Sequence, residues 1–171
     1  STVSVTIHVI DVNDNPPTFL PNRHELSLSE TTAPGTSFSI PSAFDPDSGI
    51  RGVQSYNIRD PNPTFSLHTS QNTDGSTDLS LTLDQALDRE HVDFYTVYIE
   101  AHDGGFPPLS GTLTVSITVL DANDNNPVFV NSSYATSVPE DFPLGRTLLT
   151  VHAEDLDSGP NGQVTYQFNQ Q

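Results

Sequence analysis

The chain has 171 residues, with 22 acidic side chains against five basic ones and a net charge of -17. That balance excludes nucleic acid and anionic membrane surfaces as partners, because both are bound through cationic side chains. With no cysteine the chain is not a disulfide scaffold, and no run reads as a signal peptide or a membrane span. Any membrane anchoring is expected to come through segments outside this sequence. Fourteen Pro and ten Gly point to many turns and an all-β chain.

In chain order, residues 1–10 read as a strand, and the oxygen-rich run Asp11-Val12-Asn13-Asp14-Asn15 follows. Short strand patterns come next at Leu26/Leu28, Phe38/Ile40, Val53–Ile58, Phe65/Leu67 and Leu79/Leu81/Leu83. Asp74-Gly75 reads as a tight hairpin turn. Tyr95, Val97, Ile99 and Ala101 share one face of a longer strand. Leu113, Val115, Ile117 and Val119 do the same in the next, with Thr112, Thr114, Ser116 and Thr118 on the other face. A period of two means one buried and one wet face. Seven short strands in roughly 100 residues predict an antiparallel β-sandwich. With no Cys pair and no Trp, a disulfide-pinned immunoglobulin domain is disfavoured.

The chain also repeats itself. Asp121-Ala122-Asn123-Asp124-Asn125 stands 110 positions after Asp11–Asn15, and the same shift brings Phe19 onto Phe129, Glu30 onto Glu140 and Tyr56 onto Tyr166. It also brings Asp45-Pro46-Asp47-Ser48-Gly49 onto Asp155-Leu156-Asp157-Ser158-Gly159. The repeat predicts three parts: residues 1–15, the last strand and linker of an upstream unit; residues 16–125, a complete unit with its linker; and residues 126–171, the first part of another. On this reading the chain is a piece of a longer array. Residues 126–171 lack the strands to close a core and are expected to be poorly stable alone.

Acid pairs two apart recur at Asp45/Asp47, Asp88/Glu90 and Asp155/Asp157, and residues so spaced point the same way in an extended chain. Clustered hard oxygen donors suit Ca²⁺, and the lack of Cys and His among them disfavours zinc and copper. An EF-hand is rejected by counting. Its twelfth position needs Glu, whereas counting from Asp11, Asp45, Asp121 and Asp155 reaches Asn22, Tyr56, Ser132 and Tyr166. The ligands must come from separate segments joined by the fold.

The two Asp-x-Asn-Asp-Asn runs, Asp88-Arg89-Glu90, the Asp-x-Asp-Ser-Gly runs and Ala101-His102-Asp103-Gly104-Gly105 together resemble the extracellular repeats of cadherins. The loop Gly104–Ser110 and the run Ala86–Glu90 are most similar to long-array members of the protocadherin, dachsous and Fat types. The resemblance implies Greek-key sandwiches with three Ca²⁺ ions at each junction between repeats. For the second junction it implies Glu30, Asp88, Glu90, Asp121, Ala122, Asn123, Asp124, Asn125, Asp155, Asp157 and Asn161, with Ala122, Asn125 and Asn161 acting through their carbonyls. For the first it implies Asn13, Asn15, Asp45, Asp47 and Asp103 as a third site, with Asp11 and Asp14 in the linker. Arg51 stands where the other copy has Asn161, and a cation there is expected to weaken Ca²⁺ binding. Twelve of the 22 acids fall in these two sets, so the acidity is mostly localised.

The resemblance implies Ca²⁺-dependent cell–cell adhesion by a glycoprotein on the extracellular side of the cell membrane, single-pass in full length. Its partners would be cadherin-type ectodomains on the same or another cell, homophilic or heterophilic. The alternative is a Ca²⁺-stabilised spacer or tether with no adhesive contact of its own. A hydrolase built on the carboxylates is disfavoured, because no nucleophile–base pair or Gly-rich phosphate loop accompanies them. The six His are scattered and read as ordinary surface or edge residues. Asn131-Ser132-Ser133 is a glycosylation sequon, with Asn131 as acceptor.

Overall fold

The computed structural model describes residues 2–169. Ser1, Gln170 and Gln171, which belong to the partial units expected at the two ends, lie outside the described residues. The chain divides into two compact units, Ser1–Leu120 and Asp121–Gln171.

The first unit holds seven strands: β1 (Arg23–Ser29), β2 (Ser37–Ile40), β3 (Val53–Ile58), β4 (Phe65–Gln71), β5 (Thr77–Leu83), β6 (Phe94–Asp103) and β7 (Ser110–Leu120). They form two sheets, β1-β7-β6-β3 and β2-β5-β4. The alternation of apolar residues dictates the packing. Val97 faces Val115 and Ile99 faces Leu113 across β6 and β7, and all four are buried. Leu79, Leu81 and Leu83 of β5 fill the space from the other sheet, joined by Phe19, Leu28, Ile40, Phe65 and Leu87. Phe65 and Tyr95 meet edge to face across the core, with ring centroids 5.4 Å apart.

Three details differ from the sequence expectation. The sandwich is antiparallel except for β1, which runs parallel to β7 from Arg23↔Thr114 to Ser29↔Leu120. β1 and β7 are the first and last strands of this unit; they travel in the same direction and pair parallel where they meet. Second, the Asp74-Gly75 turn is not a two-residue hairpin. The ladder ends at Gln71↔Thr77, and the intervening loop is closed by Asn72 N–H donating to Ser76 O at 2.8 Å. Gly75 takes the left-handed conformation, at φ +87°. Asp74 Oδ1 accepts from both the backbone N–H and the hydroxyl of Ser76, which holds the wider loop. Third, residues 2–10 form no strand, and Val3, Val5, Ile7 and Val9 are exposed. A strand needs a ladder partner for its backbone groups, and no described residue pairs with this segment.

The second unit contains β8 (Val128–Phe129) and β9 (Ala153–Glu154), paired antiparallel. This pair repeats the Thr18↔Phe44 bridge of the first unit. Likewise the Ala153 N–H donates to the Tyr166 hydroxyl at 2.8 Å, as Ala43 N–H does to Tyr56 at 3.1 Å. Phe129 packs against the rings of Tyr134 and Tyr166. Among the described residues of this unit only Ala153 and Asp157 are buried. Its aromatic side borders an open apolar cleft of about 360 Å³, lined in part by Phe129, Tyr134, Val151, Tyr166 and Phe168.

Candidate metal centre

At one end of the first unit three segments converge: the segment Asp11–Asn15, the loop carrying Asp45 and Asp47, and the β6–β7 loop that starts at Asp103. The side-chain amide of Asn15 donates to Asp47 Oδ1 at 2.7 Å, and the backbone N–H groups of Asp14 and Asn15 donate to Asp47 Oδ2 at 3.2 and 3.1 Å. Asp45 and Asp47 are joined by a turn, with Asp47 N–H donating to Asp45 Oδ1 at 3.0 Å. Asp11 Oδ2 accepts from Ser48 N–H at 3.1 Å, and Asp14 Oδ1 accepts from the Asn15 amide at 2.9 Å. Asp103 is buried, and its Oδ1 takes the N–H groups of Leu109 at 2.8 Å and Gly105 at 3.1 Å. Asn13 donates to Pro107 O at 3.0 Å and also bonds the Asp103 carboxylate. All the residues expected in the first set are thus brought into one network.

The electrostatics are those of crowded carboxylates. Burial pushes the Asp45 carboxyl above its ordinary value of 3.8, helped by the charges of Asp47, Asp103 and Asp11 and opposed by the Asp47 N–H. Burial acts the same way on Asp103, but the N–H of Leu109, the Asn13 side chain and the N–H of Gly105 outweigh it and hold that group low. Three buried oxygens in this network, Asn13 Oδ1, Asp45 Oδ2 and Asp103 Oδ2, have no hydrogen-bond partner. A buried oxygen without a partner costs on the order of 1–3 kcal/mol. Hard anionic and amide oxygens, buried and partnerless within one network, are of the chemical kind that fits Ca²⁺.

At the far end of β1 and β7 lies a second group of acids. Glu30 is buried; its N–H donates to Leu120 O at 3.1 Å and its Oε2 accepts from Arg89 N–H at 2.8 Å. The Arg89 guanidinium pairs with the Glu90 carboxylate. Asp88 accepts from His91 Nδ1 at 2.8 Å, and this bond raises the His91 pKa from 6.5 and lowers that of Asp88 from 3.8. His91 was read from sequence as an ordinary surface residue; its spacing of three from Asp88 on a tight turn is the signal that could have found the pair.

The second unit repeats the first network. Asn125 donates to Asp157 Oδ1 at 2.8 Å through its side chain and at 3.2 Å through its backbone. Asp157 N–H donates to Asp155 Oδ1 at 3.0 Å, and Ser158 N–H to Asp121 Oδ1 at 3.0 Å. Asp124 N–H donates to Ala122 O at 3.0 Å, Asp124 Oδ1 accepts from the Asn125 amide at 3.0 Å, and Asn123 is exposed. Here Asn161 Nδ2 donates to Asp121 Oδ2 at 2.8 Å, a bond that Arg51 does not supply to Asp11 in the first copy. Asn131, the sequon residue, is exposed.

Residues 24–120 match the family profile described as the Cadherin domain. The chain belongs to the cadherin family. Protocadherin gamma-A10 of Pan troglodytes is 46% identical over 164 residues, which cover 96% of this chain and 17% of that protein. Protocadherin-19 of Danio rerio is 44% identical, with 96% and 15% covered. The chain therefore spans about a sixth of the length of these curated cadherin relatives. Among solved structures, the crystal structure of protocadherin gamma C5 EC1-3 superposes with a TM-score of 0.86 at 43% identity, covering 94% of this chain and 51% of that one. Mouse cadherin-23 EC22-24 gives 0.78 at 32% identity, with 90% and 48% covered. These are extracellular cadherin repeats, and the family is one of adhesion proteins and not of enzymes. No helix of the described residues is long and apolar enough to cross a membrane.

Proposed function

We propose that this chain is a Ca²⁺-stiffened stretch of a cell-surface ectodomain that serves cell–cell adhesion. The observation that carries the reading is the set of partnerless buried oxygens on Asn13, Asp45 and Asp103. Asn13, Asn15, Asp45, Asp47 and Asp103 hold one ion. By the register of the repeat, Glu30, Asp88 and Glu90 of the first unit are further ligands, and so are Asp121, the Ala122 carbonyl, Asp124 and Asp157 of the second. Asn123, Asp155, Asp157 and the carbonyls of Asn125 and Asn161 supply another site. For this second group the support is the 110-residue register of the repeat and the network within each unit. Bound Ca²⁺ neutralises carboxylates that otherwise repel one another and ties the segment Asp11–Asn15 to the repeat that follows it. Extracellular modules typically bind Ca²⁺ at about 10⁻⁴–10⁻³ M, which suits the outer face of the cell membrane. The partners are cadherin-type ectodomains on the same or an opposing cell.

Calorimetry with CaCl₂ and with chelator tests the metal. Millimolar Ca²⁺ is expected to raise the Tm, and chelation to expose residues 121–125 to protease. An unchanged Tm and cleavage pattern would overturn the reading. Ca²⁺-dependent aggregation of beads coated with a longer ectodomain separates adhesion from a passive spacer.

A further inference from the structure

The β6–β7 loop carries two adjacent glycines, Gly104 and Gly105, and neither has the positive φ that makes glycine obligatory. Space is the reason for the second. A Cβ placed on Gly105 would lie 2.1 Å from Cγ and Nδ2 of Asn13 and 2.3 Å from its Oδ1. The Asn13 carboxamide therefore occupies the volume that any other residue at 105 would fill. It crosses the loop there, bonds Pro107 O at 3.0 Å, and leaves its Oδ1 buried without a partner. The N–H of Gly105 meanwhile donates to Asp103 Oδ1, whose other oxygen is also buried and partnerless although the residue is only 5% exposed.

We propose that Gly105 is a positioning residue for the divalent-cation site: the missing Cβ seats the Asn13 carboxamide so that Asn13 Oδ1, Asp45 Oδ2 and Asp103 Oδ2 face one ion. The proposal rests on the Ca²⁺ reading above. It assigns Gly105 a role distinct from Gly104, whose Cβ would instead meet the backbone carbonyl of Ile50 at 2.4 Å. Adding a methyl at 105 displaces the end of a short side chain, whereas adding one at 104 pushes on the backbone.

The test uses the full chain and Gly105→Ala, Asn13→Ala and the double variant. Amide NMR follows a CaCl₂ titration at residues 45–48 and 103–109, with residues 155–158 as an internal reference. Gly105→Ala is expected to weaken the apparent affinity at the first set about tenfold, as loss of a ligand-orienting contact typically does, and to leave the reference unchanged. In chelator, its Asn13 side-chain amide is expected to lose protection from hydrogen exchange. The double variant should match Asn13→Ala, because the displaced group is gone; it should also fold if Gly105→Ala alone does not. A Gly105→Ala chain that titrates like the wild type, or a double variant weaker than Asn13→Ala, would overturn the proposal. A wild-type chain that ignores CaCl₂ overturns the Ca²⁺ reading, and Asn13 exchange in chelator then decides by itself whether Gly105 seats that side chain.

Discussion

A single arginine ties the exposed face of the larger sheet together. Arg59 Nε donates to Glu100 Oε1 at 2.6 Å, its Nη2 donates to Thr112 at 2.9 Å, and its guanidinium lies 5.5 Å from the Tyr98 ring centre. The Arg59 bond and charge hold the Glu100 carboxyl below its ordinary 4.5. A carboxylate lowered by folding stabilises the fold above its unfolded pKa and loses that contribution as pH falls through the folded value. Glu100→Gln is therefore expected to lower the Tm at pH 7, by the equivalent of at most about 1 kcal/mol for a surface pair. The gap from wild type should shrink below pH 4.5 and close once the wild-type Glu100 is protonated in both the folded and the unfolded state; a gap of equal size at pH 7 and at strongly acid pH would contradict this. Sequence could not have shown the pair, since 41 residues separate Arg59 from Glu100. The acids of the proposed metal set could be picked out because their motifs are local. The close approach of the Asn13 side chain to Gly105 was not legible, because the two meet only through folding.

At the scale of elements, β6 and β7 form the centre of the first unit, and their alternation was plain in the sequence. Ile117 of β7 is fully buried and lies opposite Tyr95. Ile117→Ala removes core volume that neighbouring strands cannot readily refill, and is expected to cost about 2–5 kcal/mol. Urea denaturation in chelator measures it, and a loss under about 1 kcal/mol would show that the core collapses around the gap. The parallel β1–β7 pair was not legible. Residue pattern states which side chains face inward, and it is silent on strand direction. The wide β4–β5 loop was missed for a related reason: Gly75 marked the turn correctly, but the bonds from Asn72, Asp74 and Ser76 set its width.

Across the whole chain, the two units differ in how much each buries. The first closes a core between two sheets, whereas the second has Ala153 and Asp157 as its only buried described residues. Backbone opening is easiest where few apolar contacts must be broken. Amide hydrogen exchange in chelator is expected to be slow in β5, β6 and β7 and fast throughout residues 126–169, including β8 and β9. Protection of β8 and β9 equal to that of β7 would contradict this.

The sequence by itself determined the strands of the first unit, their inward faces, the repeat register and the oxygen donors, because each is written in local spacing or in self-similarity. Only the tertiary structure decided which strands meet, in which direction, and which oxygens are left buried without a partner. Those depend on segments far apart in the chain: Asn13 and Pro107, whose side chain and carbonyl meet across 94 positions, or β1 and β7, which close the sheet. Contacts of that kind come from closing the sandwich, and no local pattern encodes them.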